Sequence, residues 1–235
     1  ASDSADELRL EVFDDTGNLV RAFSSEPMPE PPLPSSVRMG EWHLEAVGTP
    51  QLPKTAGTHR FVWDFRHAGP WDPSASRSGR NGPMAIPGTY QARLAIGGWS
   101  STQSFEVMTD PRIVDEGAVS QANIEAQIRL GLEVRDALSD ARLAAAKLDE
   151  ARDGSPDQVR LVLDEISEAL VTAPIRYSRP VIIDQLSYLY SSLIRADQQP
   201  GQDAFNRYQE LNSLLNDHIG RLEQLLQTSN FRDGQ

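Results

Sequence analysis

Three features of this chain carry chemical potential: histidines near carboxylates, tryptophans outside the patterned core, and an Asp/Asn/Gly turn. His43, His59, His67 and His218 are the only histidines. No two stand four apart on a helix, so the paired-imidazole zinc pattern is absent. His59 and His67 flank Trp63, and a metal there would need Asp64 or Asp72 as a further ligand. That spacing matches no metal motif, so no metal site is expected. His218 falls on an apolar helix stripe, where a structural histidine is the plainer reading. Trp42, Trp71 and Trp99 have the type of side chain that stacks on sugars, whereas Trp63 sits on an aromatic-alternating run that reads as core. For Trp71, between Gly69-Pro70 and Asp72, packing between parts of the molecule competes evenly with ligand binding.

Asp14-Asp15-Thr16-Gly17-Asn18 has calcium-type residues without calcium-loop spacing, and it reads as a turn. No Gly-x-Ser-x-Gly elbow and no phosphate-cradling glycine loop occurs. A glycosidase pair of carboxylates is defined by geometry that a sequence does not show. Glu125, Glu133, Asp164, Glu165 and Glu168 read as solvated helix faces. No catalytic residue and no cofactor follows from the sequence.

The elements that would position these groups change character near Asp110-Pro111. All four Trp lie before it, and Leu/Ala/Glu-rich stretches follow. The expected architecture is α+β in two segregated domains: an antiparallel β-sandwich over 1–109 and an all-α region over 110–235. Leu8, Leu10 and Val12 alternate with polar neighbours, and Leu19–Phe23 returns after the Gly17 turn, predicting a hairpin. Residues 24–57 carry the dense run Pro27, Pro29, Pro31, Pro32 and Pro34 and read as a stiff loop, with a short strand over Trp42–Val47. Phe61, Trp63 and Phe65 alternate with Val62, Asp64 and Arg66, predicting another strand. Residues 67–88 read as a loop closed by Pro87-Gly88. Thr89–Ile96 and Trp99 to about Met108 make a second hairpin about Gly97-Gly98.

Four helices are predicted. The first runs from about Ser120 to Arg152, on the order of 45 Å long, with Ile124, Ile128, Leu132, Leu138, Ala145 and Leu148 on its apolar stripe. Gly154 ends it, with Ser155 expected to cap the second helix and Pro156 to open it. Ala173-Pro174 breaks the second, Arg179-Pro180 starts the third, and Pro200-Gly201 separates the fourth. Tyr208, Leu211, Leu215, His218, Leu222 and Leu225 form a seam suited to antiparallel helix packing or to a second copy.

Composition narrows the classes further. The chain has 235 residues, 39% hydrophobic and 24% charged, with a net charge of -12. That balance opposes nucleic-acid binding, which needs a concentrated basic surface, and gives no support to an anionic membrane surface. There is no cysteine, so disulfides and thiolate sites are excluded. No stretch reaches the roughly 18 apolar residues of a membrane span. The opening Ala-Ser-Asp-Ser-Ala-Asp is expected to belong to a mature product or an excised fragment.

Phe61-Val62-Trp63-Asp64-Phe65-Arg66, then Gly82-Pro83-Met84-Ala85-Ile86-Pro87-Gly88-Thr89-Tyr90, then Asp110-Pro111-Arg112 resemble the C-terminal region of bacterial sortilin-like, BNR-repeat "glycosyl hydrolase" proteins. In that family a β-propeller precedes an Ig-like domain, similar to that of flagellar hook-capping proteins, and then helices. The match is most specific over 57–112. The propeller's Ser-x-Asp-x-Gly-x-Thr-Trp boxes are absent here, so no catalytic residue carries over. The resemblance implies an exported (periplasmic, cell-surface or secreted) bacterial protein and a non-catalytic accessory or interaction module. Its expected partner is an upstream propeller or another subunit. The alternative is a carbohydrate-binding module assisting a propeller glycosidase through Trp42, Trp71 and Trp99.

Overall fold

The computed structural model describes residues 6–26, 51–74, 77–112 and 119–232. Trp42, His43 and the strand expected over Trp42–Val47 lie outside the described residues, as does most of the proline-rich loop. The protein is mixed α+β, with the strands preceding the helices along the chain.

Strands β1 (Leu8–Phe13), β2 (Leu19–Ser24), β3 (Gly88–Ile96) and β4 (Trp99–Val107) form one antiparallel sheet in the order β2-β1-β3-β4. Both predicted hairpins are present. Gly17 takes φ +85° in the first turn and Gly97 φ +54° in the second, conformations that favour glycine. The register places Leu10 opposite Leu94 and Tyr90 opposite Phe105. One face of the sheet is therefore largely apolar, interrupted by Ser101 and Gln103 on β4 and by Arg21 on β2. Its core is Val12, Val20, Phe23, Leu52, Ala85 and Tyr90. The described strands make one sheet, and the second sheet of a sandwich is not among them.

The run Phe61–Arg66 differs from expectation. Phe61 and Trp63 do turn inward, and Val62 is 67% exposed. Yet the segment pairs with no strand, and only an isolated bridge joins Arg66 to Met84. Phe65, with φ +56°, ends its extended course. The aromatic alternation is served by packing instead. Trp63 meets Tyr90 at 5.9 Å and Phe105 at 6.1 Å, both edge-on.

Helices α1 (Gln121–Arg152), α2 (Asp157–Leu170), α3 (Ile182–Leu193) and α4 (Gln202–Arg232) build the second part. α1 has 32 residues, roughly 48 Å of helix, and it packs on the other three. Ser120 caps it, accepting from the Asn123 amide at 3.2 Å. The expected cap of α2 is corrected. Ser155 instead donates back to the Ala151 carbonyl at 2.6 Å, closing α1, and Pro156 holds the cap position of α2. Leu211, Leu215 and Leu222 of the α4 seam are buried within this bundle together with Leu138, Leu163 and Leu186.

Between the two parts runs the loop 66–83, and both parts hold it. From the sheet, Arg21 Nη1 donates to the carbonyls of His67 and Gly79, at 3.1 Å each. From α1, Arg135 Nη1 donates to the Ala68 carbonyl at 3.2 Å. Ser139 Oγ accepts from the Trp71 amide at 3.0 Å, and Arg142 Nη1 donates to the Trp71 carbonyl at 3.1 Å. From α3, the Tyr190 hydroxyl donates to the Asn81 carbonyl at 2.7 Å. Two glycines allow the loop to fold so tightly. A Cβ on Gly69 would stand 1.7 Å from the Arg80 carbonyl oxygen, and one on Gly82 would stand 1.9 Å from that of His67.

Candidate functional site: a groove beside Trp99 and a cleft over His67

Trp99 opens β4 opposite Ile96, at the tip of the second hairpin. It is 55% exposed and stands at one lip of an apolar groove of about 630 Å³. Leu8, Leu10, Leu94, Ile96 and Phe61 line the groove. The same sheet face is therefore closed at its Tyr90 end by Phe61 and Trp63, and open at its Ile96 end. Lys54, His59 and Gln103 supply polar groups at the rim. His59 Nε2 is already engaged with the Thr55 carbonyl at 2.6 Å. Chemically, the groove would hold an apolar ligand face and hydrogen-bond its edge.

Trp71 is elsewhere. It is 3% exposed and packs on Leu143 of α1, so it offers no face for stacking and serves the junction between sheet and helices. Its indole Nε1 is buried without a hydrogen-bond partner among the described residues. Of the three tryptophans expected to stack on sugars, one is exposed at a groove, one is buried, and Trp42 lies outside the described residues.

A second cavity of about 510 Å³ lies between the first turn, the segment before β3 and the start of α1. Asp14, Asp15, His67, Glu125 and Arg129 border it. Asp14 is consumed by its own turn. Its carboxylate accepts from the Thr16 amide at 3.0 Å and the Asn18 amide at 2.8 Å, and from both side chains. Burial opposes its charge, but these hydrogen bonds outweigh it and hold the carboxyl below the usual range. Burial pushes His67 down to about 4, helped by Arg135 and Arg21 and opposed by Asp14. Its imidazole is neutral at ordinary pH.

Asp72, beside Trp71, is buried and bound on every side. It pairs with Arg77 at 2.8 Å and Arg142 at 3.4 Å, and accepts from the Ser74 amide. It therefore stands with the loop fastenings and not with His59, His67 or Asp64. Among the described residues no group of three His, Asp or Glu side chains is placed to hold a metal. Asp110, the second carboxyl with a displaced pKa, is drawn down to about 2 by hydrogen bonds from Arg112. Neither displaced carboxyl moves upward toward a general acid's range. His218 on α4 is half-buried, and its pKa is lowered by burial and by Arg221 against Asp217.

Sequence reasoning missed the buried Arg21 and Arg135 and the half-buried Arg142. Arg21 interrupts the apolar run Leu19-Val20-Arg21-Ala22-Phe23, and Arg135 and Arg142 are seven apart on α1. Seven residues are close to two helical turns, so the two cations share one helix face, and that was the available signal.

No family model matches the chain, and no curated protein or solved structure matches it significantly. No helix among the described residues is long and apolar enough to cross a membrane.

Proposed function

We propose that the chain is a non-catalytic accessory and interaction module of an exported bacterial β-propeller protein, with an Ig-like β domain followed by a helical domain. The single observation that carries this reading is the use made of the buried and half-buried ionic groups. Arg21, Arg135, Arg142 and Asp72 are all spent on fastening the loop 66–83 between sheet and helices. A module that positions or joins other proteins needs that rigidity between its parts, whereas an active site needs such groups turned toward substrate. The motifs over 57–112 supply the β-propeller context.

Titration calorimetry of the chain against the polypeptide encoded upstream of it is the test. Association with an upstream propeller supports the reading. An upstream propeller that shows no heat of binding overturns that partner, and saturable turnover of a glycoside by the chain alone overturns the non-catalytic claim.

A second reading, carbohydrate binding, is favoured by one observation: Trp99 stands exposed at the lip of the apolar groove. A saturable Trp fluorescence change with one glycan class, lost in Trp99→Ala, supports it. Equal responses from the parent and Trp99→Ala count against it.

A further inference from the structure

We propose that the loop joining α2 to α3, residues 171–181, is a docking element that inserts Ile175 and Tyr177 into an acid-rimmed apolar socket on a protein partner. This rests on the interaction reading above and names the surface that serves it.

The loop presents its apolar side chains outward. Ile175 is 70% exposed, Tyr177 88% and Val171 44%. Neither Ile175 nor Tyr177 belongs to the helical core. The backbone at Tyr177 has φ +65°, a left-handed conformation that a bulky aromatic residue rarely takes. An exposed ring at such a position contributes nothing to the fold that a glycine would not. Strain of this kind, held in place by its surroundings, is a feature of ligand-clamping segments.

The surroundings do hold it. The Ser178 hydroxyl lies 2.6 Å from the Ala173 carbonyl and 2.7 Å from that of Ile175. The Ile175 amide donates to Ala173 at 2.8 Å, and the Ser178 amide to Ile175 at 3.2 Å. The Val181 amide is bound by Thr172 Oγ1 at 3.1 Å. Pro174 and Pro180 restrict the backbone further. The two side chains are thus presented by a loop already ordered, which lowers the entropy lost on binding.

Charge specifies the partner. Residues 171–181 contain Arg176 and Arg179 and no acidic residue, on a chain of net charge -12. The Arg176 guanidinium stacks on the Tyr177 ring, 4.8 Å from its centroid. Tyr and Arg side by side are the anchors that protein interfaces favour, and their complement is an apolar pocket with carboxylates at its rim. An anionic membrane would be opposed by the acidity of the rest of the chain. Two copies meeting loop to loop would set arginine against arginine.

The test is selection from a disulfide-cyclised random peptide library displayed on phage, with the immobilised chain as bait. The proposal expects clones that combine Asp/Glu with Leu, Phe or Trp. Their binding should fall about tenfold or more in Tyr177→Gly, as for an interface anchor, fall again in Arg176→Glu, and weaken as salt rises. Tyr177→Gly should melt no lower than the parent, so that lost binding is not lost folding. Acid-rich clones that bind parent and Tyr177→Gly alike overturn the loop proposal while leaving an interaction module with another surface. A library that yields no such clones also overturns it. Vesicles of phosphatidylcholine with phosphatidylglycerol that bind the parent but not Tyr177→Gly would replace it with a membrane contact. A Tyr177-dependent dimer in sedimentation equilibrium would replace it with self-association.

Discussion

His67 borders the cleft between sheet and α1, and its pKa near 4 has a consequence for stability. The unfolded imidazole protonates near pH 6.5, while the folded one resists until about pH 4. The unfolded chain therefore binds more protons in that window, and stability falls as pH drops through it. The shift bounds the loss at about 3 kcal/mol. Urea unfolding at steps from pH 7.5 to 4.5 checks this, the parent against His67→Gln. Carboxylates titrate in both proteins, so the difference between them isolates the imidazole. The parent should lose its advantage toward pH 4.5, and a difference that stays constant with pH would remove His67 as the cause. Tyr177 makes the opposite kind of prediction. Replacing it with glycine relieves a left-handed residue, worth about 1–2 kcal/mol, against an unfolded-state entropy cost of roughly 0.5–1 kcal/mol. The net expectation is an unfolding midpoint equal to or slightly above the parent's, because the 88% exposed ring leaves no cavity. A clear fall in midpoint would mean that the ring supports the fold.

Gln127 shows how one side chain fixes two helices. Its amide Nε2 donates to the Leu193 carbonyl and, at 2.6 Å, to that of Ala196, while its Oε1 accepts from the Gln198 amide at 2.8 Å. It thereby finishes the C-terminal end of α3, where carbonyls have no partner within the helix, and ties that end to α1. Gln127→Ala strands these groups at a buried site and should cost about 2–3 kcal/mol in urea unfolding. Gln127→Glu should cost a similar amount, because it replaces the donor with an acceptor facing two carbonyls. A loss under roughly 0.5 kcal/mol, the range of surface substitutions, would show that water takes over. The same contrast between local and distant partners explains what the sequence disclosed. The hairpins at 8–24 and 88–107 were legible because glycine turns and period-two alternation are local signals. The helices were legible from their apolar periodicity and from Gly154, Pro174 and Pro200. Phe61–Phe65 misled because alternation reports which face is buried, not whether a neighbouring strand exists. Trp71 was undecided for a related reason: its environment is Leu143, seventy-two positions away. The Trp99 groove was legible only as an exposed aromatic, since its walls come from three strands and the 52–61 segment.

The fastening of loop 66–83 governs how the protein unfolds. The sheet has a small core, and the helical bundle a much larger one. Left alone, a sheet of four strands with a partly open face would be the weaker partner. Arg135 and Arg142 of α1, with Tyr190 of α3, bind it to the bundle through Ala68, Trp71 and Asn81, and Gly69 and Gly82 let the loop close under them. Heating should therefore produce one transition. All four tryptophans precede Asp110, so near-ultraviolet circular dichroism is weighted to the sheet side, while ellipticity at the helical band reports the bundle. The two curves should coincide in the parent. Arg142→Met combined with Trp71→Ala removes a cation paired with buried Asp72 and the side chain packed on Leu143. Asp72 keeps its closer pair with Arg77 at 2.8 Å, so losing Arg142 costs less than the roughly 3–5 kcal/mol of a stranded buried charge, and the aromatic truncation adds about 3–5 kcal/mol. These losses fall on the junction and not on the bundle core. The sheet-side signal should then melt well below the helical one, separating the single transition into two. Coincident curves in the double variant would place the coupling in the remaining fastenings, Arg135 to Ala68 and Tyr190 to Asn81, and Tyr190→Phe added to the pair would then be the change that separates them.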